Sequence, residues 1–451
     1  MEDYKANEQV DELGDFAVLP VPAEQRRSFL SIFWTNAGYT INISGMFTGA
    51  VLAGFLSLKQ VFIVMVIATA ILALFSSTIG AIGAKYGLSS TVLSRQSFGR
   101  YGSWLIGIVL AITLGIGWFS VILSFFADTV AVLFPNTFLT TKVVACIWGG
   151  LLMILTAAYG FRGLLALSYI AVPMMLILFS FGTTAILFAS HLSFAELFLQ
   201  APQGSGTLGV GITMAVGSTA AGALGMADIT RYAKNPTQAA VSGSLGYLLG
   251  SFFCKFTGAI MVVASRISLS SAGTSENIIQ AMASLGLGAG ALALLLFAQW
   301  TTNDNNLYSG SLGLANIFKV KKPLSCLIMG SIGIVIAIIG IQNIFKPFLV
   351  MLGLVVPPVA GVILSHYFIV QPIIKKEYAL RMGETLPKVD LVAVFVTIAA
   401  AVISYFWVTA IPGTLMSIAI AFLLYALFVL VFEKVDIKYR LGEYSITKTG
   451  F

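Results

Sequence analysis

Runs such as VFIVMVIATAILALF, residues 61–75, recur down the whole chain, and several apolar stretches reach the roughly 20 residues that a helix needs to cross a bilayer. No feature constrains the fold more. In hydrocarbon, backbone N–H and C=O groups must be satisfied inside the protein, so spans of this length are helices. Composition agrees: 58% of residues are hydrophobic and 10% charged, against about 25% charged in a soluble domain. The expected class is an all-α polytopic membrane protein. The first 28 residues are polar and mostly acidic, with no cleavable signal peptide visible, so the first apolar span is expected to direct insertion. Cys146, Cys254 and Cys326 fall within apolar spans and read as small core residues, not as a disulfide framework.

Twelve spans are expected, near 29–56, 61–84, 103–134, 143–160, 164–190, 207–227, 239–265, 288–308, 324–342, 347–370, 390–411 and 413–432. Residues 1–28 and 433–451 read as cytoplasmic tails. With the N-terminus inside, the inner segments carry 20 Lys and Arg and the outer ones 4, with Lys255 left within a span. The positive-inside rule accounts for the net charge of +7 without a nucleic-acid partner.

Two spans look interrupted. The first reads NAGYTINISGMFTG at 36–49 and the sixth GSTAAGALGMAD at 217–228. Unwound backbone at membrane depth is tolerated only where it is buried or lines a cavity, although small residues also serve close helix packing. These spans lie five apart. Interruptions at matching places in two halves point to an inverted repeat around a central site. One repeat would occupy 29–190 and the other 207–370, with two additional spans at 390–432.

The eighth span carries AQWTTNDNNLY at 298–308, straight after GLGAGALALLLF. Residues three and four apart share a helix face, which groups Thr302 with Gln299, and Asn303 with Gln299 and Asn306. Polar groups at this depth are costly unless paired or facing a cavity. Asparagine offers a donor and an acceptor together, suited to a heterocyclic base, and threonine hydroxyls are hard ligands suited to Na⁺. Hydrogen bonding between helices is the alternative.

The chain resembles the nucleobase:cation symporters, in the cytosine permease and purine-cytosine permease branch. The matching stretches are IGAKYGLSSTVLSRQSFGRYGSW at 82–104, GWF at 117–119, ADITRYAKN at 227–235, WTTNDNNLYSGSLGLANI at 300–317 and VPPVAGVIL at 356–364. The resemblance implies a leucine-transporter-like fold of ten core helices in a 5+5 inverted repeat. It implies nucleobase uptake coupled to a cation, usually Na⁺, with no other cofactor. It makes Trp118 the stacking aromatic, Asn303 the hydrogen-bonding residue of the eighth span, and Ser218, Thr219 and Ala221 the contacts of the sixth, with Gly115 and Gln299 also at the substrate. For Na⁺ it implies the hydroxyls of Thr301 and Thr302 and the carbonyls of Gly38, Ile41 and Ala298.

Three positions depart from the family's cytosine permeases. Gly115 stands where a glutamine precedes the third-span tryptophan. Thr219 stands where an aromatic follows Gly-Ser, and Ala298, beside Gln299, where an asparagine precedes WTTN. The expectation is a roomier pocket for a purine or another heterocycle. The alternative function is proton-coupled transport of allantoin, a hydantoin or a pyrimidine precursor.

Other signals are weaker. GSGTLG at 204–209 has the letters of a dinucleotide fingerprint but no preceding strand, and reads as a loop into the sixth span. Asp128, Lys255 and Asp304 lie in or near spans, where an ionisable group is either functional or structurally paired. Asp228 and Arg231, at i and i+3, read as an ion pair near an inner gate. A channel is disfavoured by matched broken helices. An intramembrane enzyme lacks a nucleophile–base pair or metal motif, and an ATP-driven pump lacks a Walker A motif and a soluble domain.

Overall fold

The structure, a computed structural model, describes residues 16, 18–159, 161–202, 204–268, 288–374 and 384–445. Most of the expected N-terminal tail and the last six residues lie outside them, as does much of the connection before residue 384. Among the described residues, seven helical stretches are long and apolar enough to cross a membrane: Leu58–Tyr86, Trp104–Leu133, Leu208–Thr230, Pro236–Ala264, Lys322–Ile339, Ile341–Ile374 and Gly413–Val435. Lys142–Ala158 and Leu391–Trp407 are shorter apolar helices. The eighth expected span, Gly288–Phe318, is one helix. Large apolar side chains such as Leu74, Ile177 and Phe406 are exposed on outward faces, as lipid-facing side chains are in a protein of this class.

Both expected breaks are present. The first span consists of helices Phe29–Thr40 and Ile43–Phe55. Asn42 serves both halves. Its Nδ2 donates to the carbonyl of Tyr39 at 2.7 Å, and its Oδ1 accepts from the Gly45 amide at 2.8 Å. An amide side chain is suited to this, because a helix end exposes carbonyls, a helix start exposes N–H groups, and no water is at hand in a bilayer. The sixth span breaks at Gly225, between Leu208–Leu224 and Met226–Thr230. GSGTLG is a loop, as expected, and its Thr207 caps the helix that follows by accepting from Val210 N at 3.2 Å.

The packing partners match in pairs. Ile43–Phe55 lies on Phe252–Ser268, and Met226–Thr230 lies on Leu58–Tyr86. Phe29–Thr40 lies on Phe161–Ser190, and Leu208–Leu224 on Phe345–Val355. The Ile43–Phe55 contact is close enough that a Cβ on Gly49 would stand 1.7 Å from the carbonyl oxygen of Lys255. No side chain larger than hydrogen fits there.

The C-terminal region, expected to be a plain tail, holds a strand. β1 (Thr385–Asp390) and β2 (Arg440–Ser445) pair antiparallel, with Thr385 opposite Ser445 and Asp390 opposite Arg440. The amides of Arg100 and Tyr101 donate to Pro387 O and Lys388 O at 3.0 and 2.8 Å, fastening the sheet to the connection before the third span. Asp390, outside the helix it caps, accepts from Ala393 N at 2.9 Å and from Arg440 Nε at 3.3 Å. Burial pushes its carboxyl up to about 6, outweighing the Ala393 and Arg440 contacts that hold it down. The folded site thus binds a proton more tightly than the unfolded chain, whose carboxylate titrates at about 3.9. This contribution is complete below about pH 4 and is lost as pH rises through about 6. Thermal unfolding in detergent should show a midpoint that falls between about pH 4 and pH 6, and Asp390→Asn should flatten that fall.

Candidate substrate-binding site

A small polar cavity lies where the two helix breaks face the third and eighth spans. Its walls are Tyr39, Asn42 and Ser44 from the first span, Trp118 and Ile122 from the third, Ser218, Thr219 and Gly222 from the sixth, and Thr302 and Asn306 from the eighth. All ten are buried. Trp118 ends a π-helical turn, Ala111–Trp118, set within an otherwise α-helical span. Such a turn is often found at functional sites. The indole meets Phe345 and Phe348 edge-on, with ring centroids 5.9 and 5.5 Å away. The indole shares this lining with Ser218, Thr219, Thr302 and Asn306.

The structure brings Trp118, Ser218 and Thr219 to this cavity and sets four other expected substrate residues apart from its wall. Asn303 is fully buried, with Nδ2 donating to Phe119 O at 3.1 Å and to Met153 Sδ at 3.2 Å. Gln299 donates to Thr129 Oγ1 at 3.1 Å. Ala221 is buried within its helix. At Gly115 the expected room is filled from the ninth span, since a Cβ there would stand 2.6 Å from Met329 Sδ. Asn306 takes the place expected of Asn303 on the cavity wall, and its Nδ2 donates to Asn303 Oδ1 at 3.4 Å. The sequence offered the signal in the i, i+3 relation of the two asparagines. Tyr39, Asn42, Ser44, Ile122 and Gly222 were not singled out. The first three fall in NAGYTINISG, the stretch read as interrupted.

Of the expected cation ligands, three meet. The hydroxyls of Thr301 and Thr302 both donate to the carbonyl of Ala298, at 3.0 and 2.8 Å. That carbonyl has two lone pairs and serves two donors, whereas each hydroxyl oxygen keeps lone pairs of its own. Ile41 ends the first half-helix with extended backbone, and Gly38 is buried one turn earlier.

The ionisable residues divide. Asp128 pairs with Lys142 at 3.4 Å and both are about one-third exposed, an ordinary surface contact. Asp304 accepts from Thr156 Oγ1 at 2.7 Å, and that hydroxyl also accepts from Trp300 Nε1 at 2.8 Å, which ties the eighth span to the fourth. Asp228 accepts from Ser90 N at 2.8 Å. Arg231 donates to Asp228 O at 3.1 Å and to the Tyr308 hydroxyl at 3.1 Å. Lys255 reaches Thr219 and Ser251.

Comparison with known proteins agrees with this arrangement. The family model described as "permease for cytosine/purines, uracil, thiamine, allantoin" matches residues 20–431. The cytosine permease of Escherichia coli (strain K12) is 32% identical over 353 residues, covering 78% of this chain and 81% of that protein. The structure of Mhp1, a nucleobase-cation-symport-1 family transporter, in a closed conformation with bromovinylhydantoin bound, superimposes with a TM-score of 0.79 at 17% identity, over 94% of this chain and 97% of that one. Its inward-facing form gives 0.74 at 18% identity, covering 94% and 95%. A Na⁺-coupled sialic acid symporter shares the fold at a TM-score of 0.62 and 15% identity, over 94% of each chain. A polytopic helical chain with a buried polar site at paired helix breaks, matched by the family model over nearly its whole length, belongs to the family of permeases for cytosine/purines, uracil, thiamine and allantoin, and is a transporter, not an enzyme.

Proposed function

We propose that this protein takes up a nucleobase or a closely related planar heterocycle by Na⁺ symport with alternating access. The observation that carries this reading is the polar cavity at the helix breaks, whose lining joins the indole of Trp118 with the amide of Asn306 and the hydroxyl-bearing Ser218 and Thr219. A flat aromatic ring gains from offset stacking, and its edge needs donors and acceptors in one plane. A buried polar site between broken helices fits a carrier that binds its cargo at mid-membrane. Twelve spans with both termini cytoplasmic, ten of them forming the inverted repeat, belong to the same proposal. Its support is the matched packing, in which each half of the first span and the opposite half of the sixth sit on corresponding helices of the two halves. Na⁺ as the driving ion is supported by the grouped hydroxyl oxygens of Thr301 and Thr302, which keep lone pairs of their own.

Transport into proteoliposomes tests this directly. Labelled cytosine, adenine, hypoxanthine and hydantoin are offered with an inward Na⁺ gradient, with an inward proton gradient, and with neither. Accumulation above equilibrium of at least one compound under the Na⁺ gradient is expected. Accumulation under the proton gradient alone would replace the ion, and failure to bind any of the four would reject the substrate class.

A further inference from the structure

Lys255 lies fully buried in the seventh span, and among the described residues no carboxylate pairs with it. A buried ionisable side chain inside a membrane protein marks a functional place by default. Its Nζ donates to Thr219 Oγ1 at 3.3 Å and to Ser251 Oγ. Thr219 lines the substrate cavity, and Lys255 stands behind it.

The chemistry of this contact is directional. An ammonium has three N–H donors and no acceptor, so the Thr219 oxygen must accept from it. The one hydrogen of that hydroxyl then has to go elsewhere. A helical threonine usually returns it to the carbonyl four residues earlier. Here that carbonyl, Ala215 O, accepts from Ser218 Oγ at 2.8 Å, and among the described residues the Thr219 hydroxyl makes no hydrogen bond of its own to it, unlike Thr302 to Ala298 O. A hydroxyl that is free to rotate can serve as donor or acceptor. This one is held as a donor on a cavity wall.

We propose that Lys255 is a positioning residue that fixes Thr219 as an obligate donor toward the substrate. The cavity therefore selects heterocycles that present a carbonyl oxygen or a bare ring nitrogen at that point, and it disfavours those that present an amino group there. An amino group would set donor against donor and leave both unpaired in a closed site, which is how a buried polar group rejects a near-isostere. The inference rests on the nucleobase reading above and deepens it, from planar heterocycles to those with an acceptor at one defined edge.

The test uses the full-length purified protein in nanodiscs at fixed Na⁺. Dissociation constants are measured for three pairs that each exchange one carbonyl for one amino group, and with it an adjacent ring N–H for a bare nitrogen, so that the acceptor moves from the exocyclic position to the ring: uracil and cytosine, cytosine and 2,4-diaminopyrimidine, hypoxanthine and adenine. The wild type should favour the carbonyl member of at least one pair by about tenfold, the scale of one buried hydrogen bond. Lys255→Met should reduce that ratio below about threefold, and Thr219→Val should do the same. Because one residue acts through the other, the double variant should be no worse than Thr219→Val alone. Thr219→Ser, which keeps the hydroxyl, should keep the selectivity. Lys255→Gln provides a second probe should Lys255→Met fold poorly, since an amide both donates and accepts and no longer fixes the hydroxyl. The proposal is overturned if no pair separates in the wild type, if both Lys255 variants keep the wild-type ratio, or if the effects of Lys255 and Thr219 multiply. Absence of wild-type binding to all five compounds would instead bring down the nucleobase reading itself.

Discussion

Trp118→Ala will weaken substrate binding about 5- to 150-fold, on the scale of about 1–3 kcal/mol for a base stacked on an aromatic ring. The indole is 3% exposed and forms one wall of the cavity. Its ring plane is steeply inclined to those of Phe345 and Phe348, and it shares the cavity lining with the polar side chains of the first, sixth and eighth spans. Truncation also lets those two rings relax toward the cavity, which will hold the loss nearer the lower end of the range. Trp300 provides the comparison. It sits on the eighth span, two residues before Thr302, but its Nε1 donates to Thr156 and it packs on Phe297 with centroids 6.2 Å apart. Trp300→Phe should leave affinity within about threefold, at the cost of the contact between the eighth and fourth spans. Binding isotherms for both variants decide the matter. Wild-type affinity in well-folded Trp118→Ala would remove the stacking role.

The two helix breaks were legible because membranes forbid what those sequences contain unless it is buried. NAGYTINISG and GSTAAGALGMAD place Gly, Ser, Thr and Asn where a lipid-facing helix would carry Leu. What was not legible was the rotation of the eighth helix about its axis. Asn303 and Asn306 lie about 60° apart around a helix of 3.6 residues per turn. Either could face the cavity as far as spacing goes. Packing decides it, since Phe119 O and Met153 Sδ engage Asn303. Gly115 shows the same gap between sequence and packing. A missing side chain suggests room, but Met329, more than 200 residues away in the chain, supplies the atoms that fill it. The π-helical turn that carries Trp118 leaves no mark in the apolar pattern of AITLGIGW, because Gly-rich apolar sequence suits either winding. The β1–β2 sheet escaped notice for a further reason. TLPKVD contains a proline, which demotes a run as a strand, and its partner lies 50 residues downstream. The ribbon tolerates Pro387 because the neighbouring backbone asks it only to accept: the Arg100 amide donates to its carbonyl, and no N–H is needed.

Thr302→Ala will abolish the stimulation of substrate binding by Na⁺ while leaving weaker, Na⁺-independent binding in place. The reasoning begins from the hydrogen-bond count. Ala298 O accepts from both Thr301 and Thr302, so its lone pairs are committed in this conformation. The hydroxyl oxygens are not, and Thr302 is the one of the two that also lines the cavity. A cation held by Thr302 therefore shares a wall with the substrate, which is the arrangement that coupling requires. Coupling is reciprocal: if Na⁺ raises substrate affinity by some factor, about 5- to 150-fold for typical coupling energies, substrate raises Na⁺ affinity by the same factor. Removing one hydroxyl ligand weakens Na⁺ and with it the whole factor. Asn306→Ala should behave differently, lowering substrate affinity by a similar ratio at every Na⁺ concentration, because it removes a substrate partner and leaves the ion ligands in place. Substrate affinity measured across a Na⁺ titration separates the two patterns: a flat line for Thr302→Ala, and a parallel displaced curve for Asn306→Ala. Full Na⁺ dependence in Thr302→Ala would reassign both threonine hydroxyls to helix structure, in which each simply returns its hydrogen to the preceding turn, and the driving ion would have to bind elsewhere.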